Sequence, residues 1–248
     1  GVEYRALIAN VRGVERAVSC GCQKVKLNVS ASTAHNLANL NCTPTQSIKR
    51  FAESAALAYQ EGIEISGSIS MPFGSPWERE VPLEMVWEIV DAYLDAGITE
   101  LSLSDASGMG CPTSVACICG EIHRRYPQVT WWFHFHNTRG LGLANILVCM
   151  QHGFSNFDAS FAGLGGCPFV PGAAGNVTTE DLINMCMEMG IETGVNLDHA
   201  IAISRYVTRL VGHGGDSYIL RAGKCSDLLQ KQPTGQIKNH TLVDCRKE

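Results

Sequence analysis

Short apolar runs alternate with longer amphipathic stretches along most of the chain, and the two periods predict strands and helices in turn. Tyr4–Ala9 reads as a strand, about Arg12–Ser19 as a helix, and Lys24–Val29 as the next strand. A polar connection leads to a helix beginning near Thr43, where Thr43 suits the cap and Pro44 the first turn. Ile63–Met71 alternates as a strand does. After the turn Pro72-Phe73-Gly74-Ser75-Pro76, a helix over about Leu83–Asp95 is ended by Gly97. Ile98–Ser104 is a strand ending in Asp105, followed by a helix over about Thr113–Arg125. The strand Val129–Phe135, a helix over about Leu141–His152 and the strand Phe157–Phe161 follow. Two helices close the pattern, about Thr179–Met189 and Leu197–Val211.

Strict alternation of this kind implies a parallel α/β sheet. Its chemistry is expected at the carboxyl edge, where the strands end in polar residues: Asp105, and the run His134–Asn137. No GxGxxG or GxxxxGK[ST] opens a helix after the first strand, which argues against a dinucleotide-binding or P-loop fold. The 248 residues suit a (β/α)₈ barrel, although about six of its eight strand–helix units are present. Residues 1–212 are read as one barrel domain, incomplete at its amino-terminal end, and 213–248 as a polar tail.

Composition narrows the classes. A net charge of −5, with no run of basic residues, argues against a nucleic-acid partner. No stretch of about twenty apolar residues is present to span a membrane. Eleven cysteines, an odd count in a chain of this length, fit reduced thiols inside a cell better than a disulfide scaffold, with most of them expected as buried small hydrophobes.

The run Phe133-His134-Phe135-His136 carries the first chemical signal. Spaced i, i+2 at a strand end, the two imidazoles share a face and can hold a metal ion; the alternative is one core and one surface histidine. Asn176 is a candidate amide ligand or a turn residue, and Asp105 an active-site carboxylate or a cap for the next helix. Glu180 and Asp181 lie in the first turn of a helix, where acidic residues are favoured in any case. Cys167 sits in the glycine-rich loop Gly163-Leu164-Gly165-Gly166-Cys167-Pro168, where free backbone N–H groups or a nearby cation could stabilise a thiolate or let it pass a proton.

Read together, the segments 133–140, 163–182 and 189–197 resemble 3-hydroxy-3-methylglutaryl-CoA lyase, and the likeness extends over Tyr4 to about Val211. The resemblance implies a TIM barrel that uses Mg²⁺ or Mn²⁺ to cleave an acyl-CoA substrate into acetyl-CoA and acetoacetate. It implies His134, His136 and Asn176 as metal ligands, and Cys167, His134 and Asp105 as catalytic residues. Glu180 is implied as a support, and so is Asn137, which stands where many members of the family have Asp. A homodimer is implied, in the cytoplasm or, with a targeting segment, in the mitochondrial matrix. The family also has two earlier strands bearing an Arg-Asp-Gly motif and a glutamate, which nothing before Tyr4 supplies, so the metal is expected to lack a carboxylate partner. Alternative readings are cleavage of a related hydroxyacyl-CoA, an inactive lyase-like scaffold or binding protein, and a Claisen-type synthase, which the cysteine loop argues against.

Overall fold

A computed structural model describes residues 2–166, 172, 175–213 and 215–229. Six parallel strands form one sheet in chain order: β1 (Arg5–Ile8), β2 (Lys24–Ser30), β3 (Glu64–Ser70), β4 (Glu100–Asp105), β5 (Thr130–Phe135) and β6 (Phe157–Asp158). Each adjacent pair is joined through at least one helix: α1 (Val11–Ser19), then α2 (Thr33–Leu40), α3 (Pro44–Ile48) and α4 (Phe51–Gln60), then α5 (Leu83–Asp95), α6 (Pro112–Arg125) and α7 (Gly142–Gln151). Helices α8 (Thr179–Glu188) and α9 (Leu197–Val211) follow β6. Parallel neighbours need such crossovers, and the order β1 to β6 is that of a barrel wall rather than a doubly wound sheet.

The two faces of the sheet differ sharply. Val25, Leu27, Val29, Ile69, Leu101, Leu103, Phe133 and Phe135 are buried under the helices and build the main core. The alternate positions Lys24, Lys26, Asn28, Ser66, Ser68, Ser70, Ser102, Ser104 and His134 face the other way. Tyr93 ties α5 to the sheet, its hydroxyl reaching Leu27 O at 2.7 Å and Ser68 O at 3.1 Å while its ring stacks on Phe51 at 4.2 Å. The inner face curls enough for Lys26 on β2 to meet Asp158 on β6 at 3.1 Å. At its amino-terminal end Lys24 and Arg5 both pair with Glu100, each at 2.7 Å, and close the inner face there.

Three expectations change. The polar connection after β2 is the helix α2, because Ser32 caps it by accepting from His35 N at 3.2 Å and Asn41 ends it in the left-handed region. The helix starting at Pro44 divides into α3 and α4, with Thr43 and Gln46 forming a capping box. The sixth strand stops at Asp158, because Ser160 and its neighbours leave β5 to pair with residues 177–179, and a short turn over Phe161–Gly163 follows. Beyond Gly212, α10 (Tyr218–Ala222) is anchored by Asp181, whose carboxylate accepts from Ser217 Oγ, Tyr218 N and Ile219 N at 2.8–2.9 Å. A further short helix, α11, spans Cys225–Leu229. Cysteine burial is less general than expected: Cys42, Cys119, Cys149 and Cys186 are buried, but Cys20, Cys117 and Cys225 are exposed.

Candidate active site

At the carboxyl edge of the strands a cavity of about 380 Å³ opens on the inner face. Its wall is made by Lys26, Asn28, Ser68, Ser70, Ser102 and Ser104, with His134, His136, Asp158 and Asn176 at the rim of β5 and β6. The serines explain the space: short side chains on β3 and β4 leave the middle of the curled sheet unfilled, whereas a closed barrel interior is usually packed with branched residues.

Strand alternation sends Phe133 and Phe135 into the core and brings His134 and His136 together, their ring centroids 5.2 Å apart. His136 is joined to Asn176 by an antiparallel bridge, supported by Asn137 N to Gly175 O and Val177 N to Phe135 O, both 3.1 Å. Asn176 Nδ2 donates to Leu164 O at 2.9 Å, which fixes the amide and leaves its Oδ1 buried and, among the described residues, without a hydrogen-bond partner. Glycine makes that closeness possible. A Cβ on Gly175 would lie 1.6 Å from Gly163 O, and Gly165, at φ +112°, could carry one only 2.6 Å from Asn176 Nδ2.

Asp158 is the residue sequence reasoning missed. Its Oδ2 lies 3.5 Å from His134 Nδ1 and 3.1 Å from Lys26 Nζ. Burial pushes its carboxyl up, but His134 and Lys26 outweigh burial and hold it down at about 2. The signal was present in Phe157-Asp158, a polar residue at a strand's carboxyl end, and in the inward alternation of Lys24, Lys26 and Asn28.

The remaining expected residues divide. Asn137 Oδ1 accepts from Gly142 N at 3.2 Å and supports the start of α7. Glu180 is fully buried and its Oε2 accepts from Ala162 N at 3.1 Å and Ser204 Oγ at 2.7 Å, clamping the turn that leads into the glycine-rich loop. Asp105 is placed differently from the expected active-site carboxylate: it lies on the Phe135 side of the sheet, away from the residues lining the cavity. Its side chain accepts from Ser107 Oγ, Met109 N and Gly110 N at 2.9–3.1 Å, so it organises the loop before α6, and burial pushes its pKa up against those bonds. Cys167 lies outside the described residues.

Among the described residues no three His, Cys, Asp or Glu side chains converge as a metal site. The donor set that does converge is mixed, two imidazoles and the unpartnered amide oxygen of Asn176. That set fits a Mg²⁺ or Mn²⁺ ion whose other positions are filled by water or substrate oxygens. Contrary to the expectation from sequence, a carboxylate is at hand, but Asp158 faces His134 and Lys26 and orients the imidazole.

Residues 4–207 match the model of the HMGL-like family. The chain belongs to that family. It is 35% identical over 226 residues to a hydroxymethylglutaryl-CoA lyase of Bacillus subtilis, covering 91% of this chain and 76% of the relative. It is 37% identical over 220 residues to the (R)-citramalyl-CoA lyase of Chloroflexus aurantiacus, covering 89% and 69%. Among solved structures, an HMG-CoA lyase from Acinetobacter baumannii, in complex with coenzyme A and 3-methylmalate, superimposes with a TM-score of 0.87 at 40% identity, covering 94% of this chain and 75% of that one. The open six-stranded sheet is thus part of the family's barrel.

Proposed function

We propose that this protein is a metal-dependent carbon–carbon lyase that cleaves 3-hydroxy-3-methylglutaryl-CoA to acetyl-CoA and acetoacetate. The observation that carries the reading is the convergence of His134, His136 and the unpartnered Asn176 Oδ1 in one polar cavity at the carboxyl edge of the sheet. The likeness to lyases of that name supports the choice of substrate.

Cleavage requires a base to take the proton of the tertiary hydroxyl at C3. The C2–C3 bond then breaks with its electron pair passing to C2, C3 becomes the ketone of acetoacetate, and an acid delivers a proton to C2 of the acetyl-CoA enolate. Asp158 orients His134 through Nδ1, which leaves the Nε2 lone pair for a cation or a proton, so His134 is assigned to the hydroxyl end. A bound Mg²⁺ or Mn²⁺ would supply Lewis-acid stabilisation of the negative charge that develops on substrate oxygens. His136 and Asn176 would complete its protein ligands. Cys167, next in sequence to the cavity-lining Gly166, is assigned the protonation of C2. Asp105 and Glu180 act on loop geometry.

The test is acetoacetate release from 3-hydroxy-3-methylglutaryl-CoA by chelator-treated protein, before and after adding Mn²⁺ or Mg²⁺. Release restored by either ion is expected. No release, with turnover of (R)-citramalyl-CoA instead, would move the assignment to the second activity found among the relatives. No turnover of either substrate would favour a lyase-like binding protein. Cys167→Ser is expected to lose most of the rate. A homodimer is proposed alongside, to be checked by light scattering.

A further inference from the structure

We propose that Lys26 is a substrate-binding residue that receives the free carboxylate of the acyl group, and so makes the cavity selective for acyl-CoA thioesters ending in a carboxylate. The inference rests on the acyl-CoA lyase reading of the site.

Lys26 is rooted on the inner face of β2, in register with Ser66 of β3 and Leu7 of β1. It enters the cavity from the amino-terminal floor, below the rim where His136 and Asn176 stand. Its side chain retains 13% exposure, directed at the cavity it lines. An ammonium has three hydrogens to donate, and the one hydrogen bond of Lys26 runs to Asp158 Oδ2 at 3.1 Å, an oxygen that also faces His134. The cation is held in place while donor capacity is left over.

The surroundings offer little else for it to bind. Asn28, Ser68, Ser70, Ser102 and Ser104 are neutral, and Asp158 is the one carboxylate among the described residues lining the cavity. Lys24, Arg5, Glu64 and Glu100, the other charges of the inner face, are paired with one another beneath it. Ser102 Oγ is buried there without a partner among the described residues, a second sign of a cavity shaped for a polar ligand.

Substrate chemistry fits this polarity. The thioester must enter from the open rim, and the carbon bearing the hydroxyl must reach His134. In 3-hydroxy-3-methylglutaryl-CoA the carboxylate lies two carbons further on, at the end remote from the thioester. With the hydroxyl at the rim, that group is carried toward the floor and the Lys26 ammonium. An acyl chain without a carboxylate would gain nothing from Lys26.

The experiment is calorimetric binding of two acyl-CoA probes, 3-hydroxyglutaryl-CoA and 3-hydroxybutyryl-CoA, to the Mn²⁺-supplemented full chain and its Lys26→Met variant. The first probe carries the terminal carboxylate and the second lacks it. Lys26→Met is expected to weaken the first on the order of 10-fold or more and leave the second within about twofold, with Lys26→Arg recovering part of the loss. Equal weakening of both probes, or no change in either, would overturn the role of Lys26 and leave the lyase reading standing. If the unaltered protein binds neither probe, the acyl-CoA reading itself fails and this inference with it. Should Lys26→Met not fold, Lys26→Gln, which keeps a donor toward Asp158, is put to the same comparison.

Discussion

Asp158 Oδ2 stands 3.5 Å from His134 Nδ1, joining the end of β6 to the end of β5 through the one histidine best placed to act on substrate. A carboxylate behind an imidazole fixes the ring and raises its basicity as a ligand. Asp158→Asn should therefore lower Mn²⁺ affinity by roughly 10–100-fold while leaving the fold intact. Calorimetric titration with Mn²⁺ and a circular-dichroism melt would check both halves, and an unchanged Mn²⁺ affinity would remove the orienting role.

Asn176 contributes two atoms with separate tasks, Nδ2 to Leu164 O and Oδ1 to the cavity. Asn176→Ala loses both, and its Mn²⁺ affinity should fall about tenfold or more. Asn176→Asp restores an oxygen donor with added charge but not the bond to Leu164 O, so it should bind Mn²⁺ at least as well as the unaltered protein. Weak binding by the aspartate variant would show that loop position, rather than ligation, is what Asn176 supplies.

Glu180 is buried with Ala162 N and Ser204 Oγ as its donors. Glu180→Ala strands both, a loss of about 2–4 kcal/mol that urea unfolding would read. Glu180→Gln keeps an acceptor and should cost less. Gly175→Ala should be at least as damaging as Glu180→Ala, because its Cβ would meet Gly163 O at 1.6 Å and push the two loops apart.

Cys111, just before α6, is acidified by the Thr113 hydroxyl at 3.1 Å and by Ser114, which bring its thiol down to about 7. Its reactive thiolate grows as pH rises through that value, so iodoacetamide modification should climb steeply between roughly pH 6 and 8. Peptide mapping after timed alkylation would follow the site, and a flat profile across that window would contradict the acidified thiol. Cys111→Ser should abolish the component without altering acyl-CoA binding.

The alternation of strands and helices was legible in the sequence because each element announces itself locally. Val25, Leu27 and Val29 mark the core face of β2, and Pro44 after Thr43 marks a helix start. Helix α2 was missed because His35, Asn36 and Asn39 give no apolar stripe; Ser32 and its cap decide it. The histidine pair and Asn176 were legible as ligand types, and the glycine-rich loop as a place of close approach. Asp105 misled: a carboxylate at a strand end looks the same in sequence whether it faces a substrate or its own loop.

By itself the sequence determined the parallel α/β class, the edge at which the chemistry gathers, and the residues able to ligate a metal. All of these follow from periods of two and 3.6 residues and from side-chain type. Only the tertiary structure decided which polar groups meet. Lys26 and Asp158, 132 residues apart, come together because the sheet curls, and short serines on β3 and β4 leave the space between them open. Asp105, one residue beyond the inward-facing Ser104, falls on the opposite face and is drawn into its own loop. Pleat and curl are properties of the assembled sheet, and they sort carboxylates that the sequence alone cannot tell apart.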